Sequence, residues 1–257
     1  MMKILVCLKQ VPDTTEVKMS DSFTLERDFV AQIMNPADES ALELGMKLRD
    51  AQGGTVTVLT MGPERSKSML KESIARGADR AVHMTDRAFA GSDTLVTAAS
   101  LKACVEYLGG FDLILCGRRA SDGETGQVGP MLAAMMDIPC VVNATNVDTD
   151  GTNLTISQLT EEGTVTWNCT GPALVTLCEW SHRLRLPTIL GLRKASTADI
   201  LQIKASDLGL RPGETGLKAS PTRVVKVSAR PVGVRPCRKM DLQEAMKVLT
   251  EEEVLPL

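Results

Sequence analysis

From Ile4 to Met136 the chain alternates short apolar runs with longer segments that place Ala, Leu and Met at helical spacing among charged residues. Ile4–Val11, Thr55–Met61, Ala81–Met84 and Asp112–Cys116 read as strands. Asp38–Asp50, Glu64–Arg76, Asp93–Leu108 and the stretch from Gly126 to Met136 read as helices. Gly77 supplies a helix stop and Asp93 an N-cap. The run DLILC at 112–116 is apolar on both faces, as a central strand of a parallel sheet must be. Strands and helices alternating at this spacing predict an α/β fold, a doubly wound and mostly parallel Rossmann-like sheet.

Beyond Val141 the pattern changes. VVNATNV, TNLTISQLT, TVTWNCT and ALVTLCEW alternate polar and apolar residues, which predicts antiparallel or edge strands added to the sheet. Arg183–Lys194 is basic, rich in Leu and interrupted by Pro187, and is expected to be a loop. Leu208–Arg238 carries Gly, Pro and basic residues with little periodicity and is expected to run over a surface as an arm, before a closing helix at Met240–Val254. The division expected is an α/β domain over 1–206 followed by an arm and helix over 207–257.

Composition removes several function classes. The 257 residues carry a formal net charge of -3 with no concentrated Lys/Arg stripe, and aromatic residues make up 3%. Neither a phosphate-backbone footprint nor a base-stacking platform is present, so no nucleic-acid partner is expected. No apolar run approaches the roughly 20 residues of a membrane helix. The N-terminal apolar stretch is too short for a signal-peptide core, so the expected location is cytoplasmic. Seven scattered cysteines, with no CxxC pair, read as buried reduced thiols. His83 and His182 lack ligand-spaced cysteine partners, which argues against a zinc site. No acid/base team or serine elbow stands out, so no residue of this chain is expected to be catalytic.

In an open parallel sheet, ligands bind outside the carboxyl ends of the strands. Three segments occupy such positions: Cys7–Val11, Met61-Gly62-Pro63, and Gly117–Gly129. The last, GRRASDGETGQVG, sets four glycines between a strand and a helix. Glycine lets backbone N–H groups approach a phosphate, and the helix N-terminus adds partial positive charge. Arg118 and Arg119 can add full charges. The loop is neither a Walker A motif nor a GxGxxG fingerprint, and an unliganded βα loop is the competing reading. Asn35-Pro36-Ala37-Asp38 precedes the first helix, where Asn35 and Asp38 either cap it or read a ribose or adenine edge.

Seven segments in one colinear order, KILVCLKQVPDT, IMNPADESALE, TMGPERS, RGADRAVHMTD, AGSDT, DLILCGRRASDGETGQVGP and LPTILGLRKA, resemble the beta subunits of electron-transfer flavoproteins. The resemblance covers about residues 1–200. It implies an adenine nucleotide alpha hydrolase-like domain that pairs with an alpha subunit carrying a further FAD. The family's nucleotide contacts then fall on Cys7, Asn35, Pro36, Ala37, Asp38 and Met61, and on Gly117, Arg118, Arg119, Ala120, Asp122, Gly123, Thr125, Gly126, Gln127 and Val128.

In many members the beta-subunit nucleotide is AMP. In the electron-bifurcating branch a second FAD occupies the same place and accepts hydride from NADH, with ferredoxin among the further acceptors. The DGETGQVGP loop resembles the bifurcating form, so FAD is expected and AMP is the alternative. The resemblance also places a docking loop for acyl-CoA dehydrogenase or another flavoprotein dehydrogenase at 183–197, with Ile189 as its apolar anchor. It further implies that 207–257 packs on the alpha subunit. Departures from the resemblance bear on partner choice: Ile189 stands where Leu is familiar, Lys194-Ala195-Ser196-Thr197 where a Lys-rich run commonly follows, and Leu159 where some members have Glu. The rival reading is a non-redox adenine-nucleotide module of the universal-stress type, which would end soon after the sheet.

Overall fold

The computed structural model describes residues 1–13, 31–225 and 239–251. The chain divides into two compact units, Met1–Val224 and Val225–Leu257.

The first unit is built on a nine-stranded sheet. Its strands are β1 (Met2–Cys7), β4 (Gly54–Met61), β5 (Arg80–Met84), β6 (Leu113–Gly117), β7 (Cys140–Thr149), β8 (Asn153–Thr160), β9 (Gly163–Thr170), β10 (Ala173–Leu177) and β11 (Leu201–Ile203). They lie in the order β11-β5-β4-β1-β6-β10-β7-β8-β9. Pairing is parallel from β11 to β7 and antiparallel from β7 through β9. The α/β expectation holds, and the polar alternation of β8 and β9 matches their antiparallel place toward one edge, where the edge strand β9 is largely exposed.

The central strands alternate between two cores. Ile4, Val6, Leu113, Leu115 and Val175 face α1 (Pro36–Gln52) and α2 (Lys67–Arg76). Leu5, Ile114 and Leu174 face α3 (Thr94–Tyr107) and α4 (Val128–Met136). Burying each such side chain contributes about 1.5–3 kcal/mol, which is why the strands read as near-continuous apolar runs. Helix ends follow local chemistry. Pro36 begins α1, where its missing N–H costs nothing, and Asp93 caps α3 by accepting from the Val96 amide at 3.0 Å. Gly77, at φ +127°, ends α2 as expected.

Three local expectations are corrected. Ile4–Val11 is not one strand: β1 stops at Cys7, and β2 (Gln10–Pro12) pairs antiparallel with β3 (Gln32–Met34) in a separate two-stranded sheet. ALVTLCEW is not an edge element. Its first five residues form β10, buried throughout and inserted parallel between β6 and β7. The β7–β8–β9 meander returns the chain to the inside of the sheet, where both faces of a strand are covered. Finally, the expected loop Arg183–Lys194 contains the start of a helix, α5 (Ile189–Thr197), because Thr188 caps it by accepting from the Gly191 amide at 2.9 Å. Gly191 packs so closely on the Ala75 carbonyl that no side chain fits there, and this seats α5 on α2. Ahead of α5, Arg185 donates from both backbone and guanidinium to the buried Glu43, and also to Asp50.

Residues 205–222 stay with the first unit: Thr215 donates to the Ala88 carbonyl, and Thr222 donates to Asp93 at 3.0 and 2.9 Å. A four-residue helix, α6 (Gly216–Ala219), lies in this stretch. Of the arm expected over Leu208–Arg238, residues 226–238 lie outside the described residues. In the second unit, the closing helix is α7 (Leu242–Glu251), and none of its residues is buried.

Candidate functional site

After β1 the chain builds outward to one side, through β4 and β5, and then returns to lay β6 on the other side of β1. The carboxyl ends of β1 and β6 therefore flank the switch point, where adjacent loops diverge and leave a crevice. Cys7 and Cys116 are register partners across this boundary. Met61 ends the neighbouring strand β4. Asn35 to Asp38 open α1, and Gly117 to Val128 connect β6 to α4. The residues expected to contact a nucleotide converge on one end of the sheet. Ile189 is elsewhere, on the helix that packs against α2.

Asn35 and Asp38 do not cap α1 with their side chains, contrary to the simpler of the two sequence expectations. They reach across to the loop. Asp38, 5% exposed, accepts from the Lys9 amide at 2.7 Å, the Gly117 amide at 3.0 Å and Asn35 Nδ2 at 3.0 Å. Asn35 also donates to the Arg119 carbonyl at 2.9 Å and accepts from the Ser121 amide at 3.1 Å. One carboxylate and one carboxamide thus join the ends of β1 and β6 and shape the first turn of the loop. Gly117 is required by the same closeness, since a β-carbon there would lie 2.7 Å from Ala37 Cβ and collide with Asp38.

Electrostatics at this end are unusual. Burial pushes the Asp38 carboxyl up to about 7, against three donors and Lys9, which favour its charge. The Cys7 thiol is pushed up to about 12 by burial, then by Asp38 and Cys104, and burial raises Cys116 well above the ordinary thiol range. Neither thiol is a nucleophile near neutral pH. His83 is fully buried with Nε2 at 3.1 Å from the Gly62 carbonyl, whereas His182 is half-buried, with Nδ1 at 3.3 Å from Lys47 Nζ.

The distal half of the loop is open. Asp122, Gly123, Glu124, Thr125 and Gln127 are exposed, with Glu124 at φ +49° and Gly126 at φ +63° turning the backbone into α4. Among the described residues, the amides of Thr125, Gly126, Gln127, Val128 and Gly129 have no acceptor. Pro130 has no N–H to leave unpaired, and the helix packs tightly at Gly129, where a β-carbon would meet Thr176 Cγ2 at 2.8 Å. Unpaired N–H groups at a helix start carry the positive end of the helix dipole. Lys9 reaches the loop through its 2.6 Å pair with Asp122, which offsets the negative charge of that carboxylate.

Arg118 and Arg119 line a cleft of about 340 Å³ with Gly126, Pro130, Val142, Asn143 and Thr176. Both donate through Nε to Glu179, at 2.5 and 3.2 Å. Burial opposes the charge on Glu179. Its own backbone amide and the two guanidinium groups outweigh that, holding the carboxyl below the ordinary glutamate range. Glu179, Asn143 and Thr176 were not anticipated. The available signal was an acidic residue just past ALVTL, which acquires meaning only once β10 is known to lie beside β6. Asn143 stands at φ +55°, a conformation Asn tolerates better than most residues, and its amide donates to Thr176 Oγ1.

A doubly wound parallel sheet with a glycine-rich loop at its switch point defines a class of α/β proteins, and sequence comparison gives the family within it. The profile of the electron transfer flavoprotein domain matches residues 12–208. The "Electron transfer flavoprotein subunit beta" of Thermoanaerobacterium thermosaccharolyticum is 42% identical over 229 residues, 88% of each chain. That of Megasphaera elsdenii is 40% identical over 238 residues, covering 90% of this chain and 88% of the relative. The "Caffeyl-CoA reductase-Etf complex subunit CarD" of Acetobacterium woodii is 38% identical over 232 residues, covering 90% and 88%. The chain belongs to the electron transfer flavoprotein beta-subunit family. Membership in this family carries a role in electron transfer alongside an alpha-subunit partner.

Proposed function

We propose that this chain binds the adenine nucleotide portion of FAD at the switch point and, with its alpha subunit, passes electrons between NADH or a flavoprotein dehydrogenase and further acceptors. The single observation that carries the nucleotide reading is the row of amides from Thr125 to Gly129, without an acceptor among the described residues, beside Arg118 and Arg119. Oriented N–H groups and fixed guanidinium groups are what a phosphate needs. Cys7 and Met61 would flank the adenosine, while Asn35 and Asp38 hold the loop in shape. The flavin supplies the redox chemistry when bound; the chain positions it, excludes water and sets its electrostatic surroundings.

The loop sequence DGETGQVGP supports FAD over AMP and, with it, electron bifurcation with ferredoxin as one acceptor. Ile189, 86% exposed on a helix seated firmly on α2, supports a docking anchor for an acyl-CoA dehydrogenase or related flavoprotein. Helix α7, with Leu242 and Met246 exposed, supports packing of the 207–257 segment on the alpha subunit. The composition supports a cytoplasmic location.

Co-purification with the alpha subunit, followed by acid release and chromatography of the nucleotides, tests the reading. Two FAD per heterodimer is the expected result. One FAD with one AMP would favour simple electron carriage, and neither nucleotide bound to this chain would overturn the assignment of the site.

A further inference from the structure

Arg118 and Arg119 are adjacent in sequence, and two neighbouring guanidinium groups repel one another unless an anion lies between them. Glu179 is that anion. It comes from the end of β10, the strand hydrogen-bonded to the one that precedes the arginines, and its two oxygens are divided between them: Oε2 to Arg118 Nε and Oε1 to Arg119 Nε. Its side chain is 16% exposed, whereas those of Arg118 and Arg119 are 34% and 41% exposed. The carboxylate therefore sits behind the pair and the guanidinium groups face outward.

The arrangement leaves specific groups free. Among the described residues neither arginine donates a hydrogen bond through an Nη atom, and Arg119 Nη1 lies 3.9 Å from the exposed Glu124 carboxylate. Each guanidinium thus offers its outer Nη donors to the cleft. The row of amides from Thr125 to Gly129, which has no acceptor among the described residues, meets the same cleft at Gly126. Two anion-binding surfaces therefore stand side by side: a row of main-chain amides that satisfies one phosphate, and a pair of guanidinium groups fixed in advance. A monophosphate would engage the first surface and leave the second unused, whereas a diphosphate could reach both.

We propose that Glu179 is a positioning residue that holds Arg118 and Arg119 as a two-pronged clamp for a second phosphate, making this site selective for nucleoside diphosphates over nucleoside monophosphates. This rests on the cleft being the nucleotide site. Orienting both guanidinium groups before the ligand arrives removes the ordering cost that long flexible cations otherwise bring to binding. Glu179 touches no ligand in this scheme and acts only through the arginines.

The test uses the full chain in complex with its alpha subunit, freed of loosely held nucleotide and titrated calorimetrically with ADP and, separately, AMP. Wild type is expected to bind ADP at least about tenfold more tightly than AMP. Glu179→Gln is expected to reduce that preference to about threefold or less while AMP affinity is nearly unchanged. Glu179→Asp, which keeps the charge, is expected to restore part of the preference. A thermal melt and retention of the alpha subunit show that each variant is folded.

A wild-type protein that binds ADP and AMP equally overturns the diphosphate clamp but leaves the nucleotide site standing. Binding of neither ligand removes the site itself. Glu179→Gln that tightens both ligands to the same degree makes Glu179 a simple charge neutraliser and overturns its positioning role, as does an unchanged preference.

Discussion

Gly117 and Asp38 are 79 residues apart in sequence, yet the amide of one donates to the carboxylate of the other at 3.0 Å, with no room for a side chain between them. Gly117→Ala must push either helix α1 or strand β6 aside. A loss of about 1–3 kcal/mol in urea unfolding is expected, the usual cost of overpacking. Nucleotide retention through gel filtration should fall in the same variant, because the displaced strand end carries the loop with it. A variant as stable as wild type with full nucleotide content would show that the contact is not tight in solution.

Asp38 should make stability depend on pH in a direction opposite to most carboxylates. Its folded-state value of about 7 lies above the ordinary 3.8, so the folded protein holds this proton more tightly than the unfolded chain. The associated stabilisation is complete below about pH 3.8 and is lost as pH rises through about 7. Comparing wild type with Asp38→Asn in urea melts from pH 5 to pH 8 isolates it. Wild type should lose roughly 2–4 kcal/mol relative to the variant as pH rises toward and past neutrality. The difference should be flat if the carboxyl titrates at an ordinary value.

Asn35→Ala separates helix capping from loop support. The side chain does not cap α1, so far-ultraviolet circular dichroism should be unchanged. It does bond to Arg119 and Ser121 of the loop, and their loss should cost about 1–2 kcal/mol of stability. Affinity for the adenine nucleotide should weaken about tenfold, read by fluorescence or calorimetry. Reduced helix content with normal affinity would reverse the assignment.

Ile189→Ala tests docking without touching the nucleotide. At 86% exposure the side chain supports nothing internal, so the melting temperature should stay within about 1 °C of wild type. Electron transfer from the partner dehydrogenase should slow by about tenfold or more at limiting protein concentration if Ile189 is a docking anchor. The nucleotide content provides the internal control.

Much of this could be read along the chain. The alternation of apolar and amphipathic segments marked the strands and helices of the main sheet from β1 to α4, though not β2 and β3, since periodicity and end signals act within a few residues. The glycine spacing after Cys116 marked the loop for the same reason. Local pattern misled where context intervened. The alternation of its neighbours makes ALVTL read as an antiparallel or edge strand, although it is buried on both faces.

What the amino-acid sequence determined alone was the parallel α/β plan, the glycine-rich turn after β6 and the family to which the chain belongs. Only the tertiary structure decided that β10 enters the sheet beside β6, that Asp38 and Asn35 brace a loop more than 75 residues away, and that Glu179 pairs with both arginines. The physical reason is range. Dihedral preference, periodicity and capping are settled between close neighbours on the chain, whereas hydrogen bonds and ion pairs across a sheet depend on strand order, which the whole core selects at once.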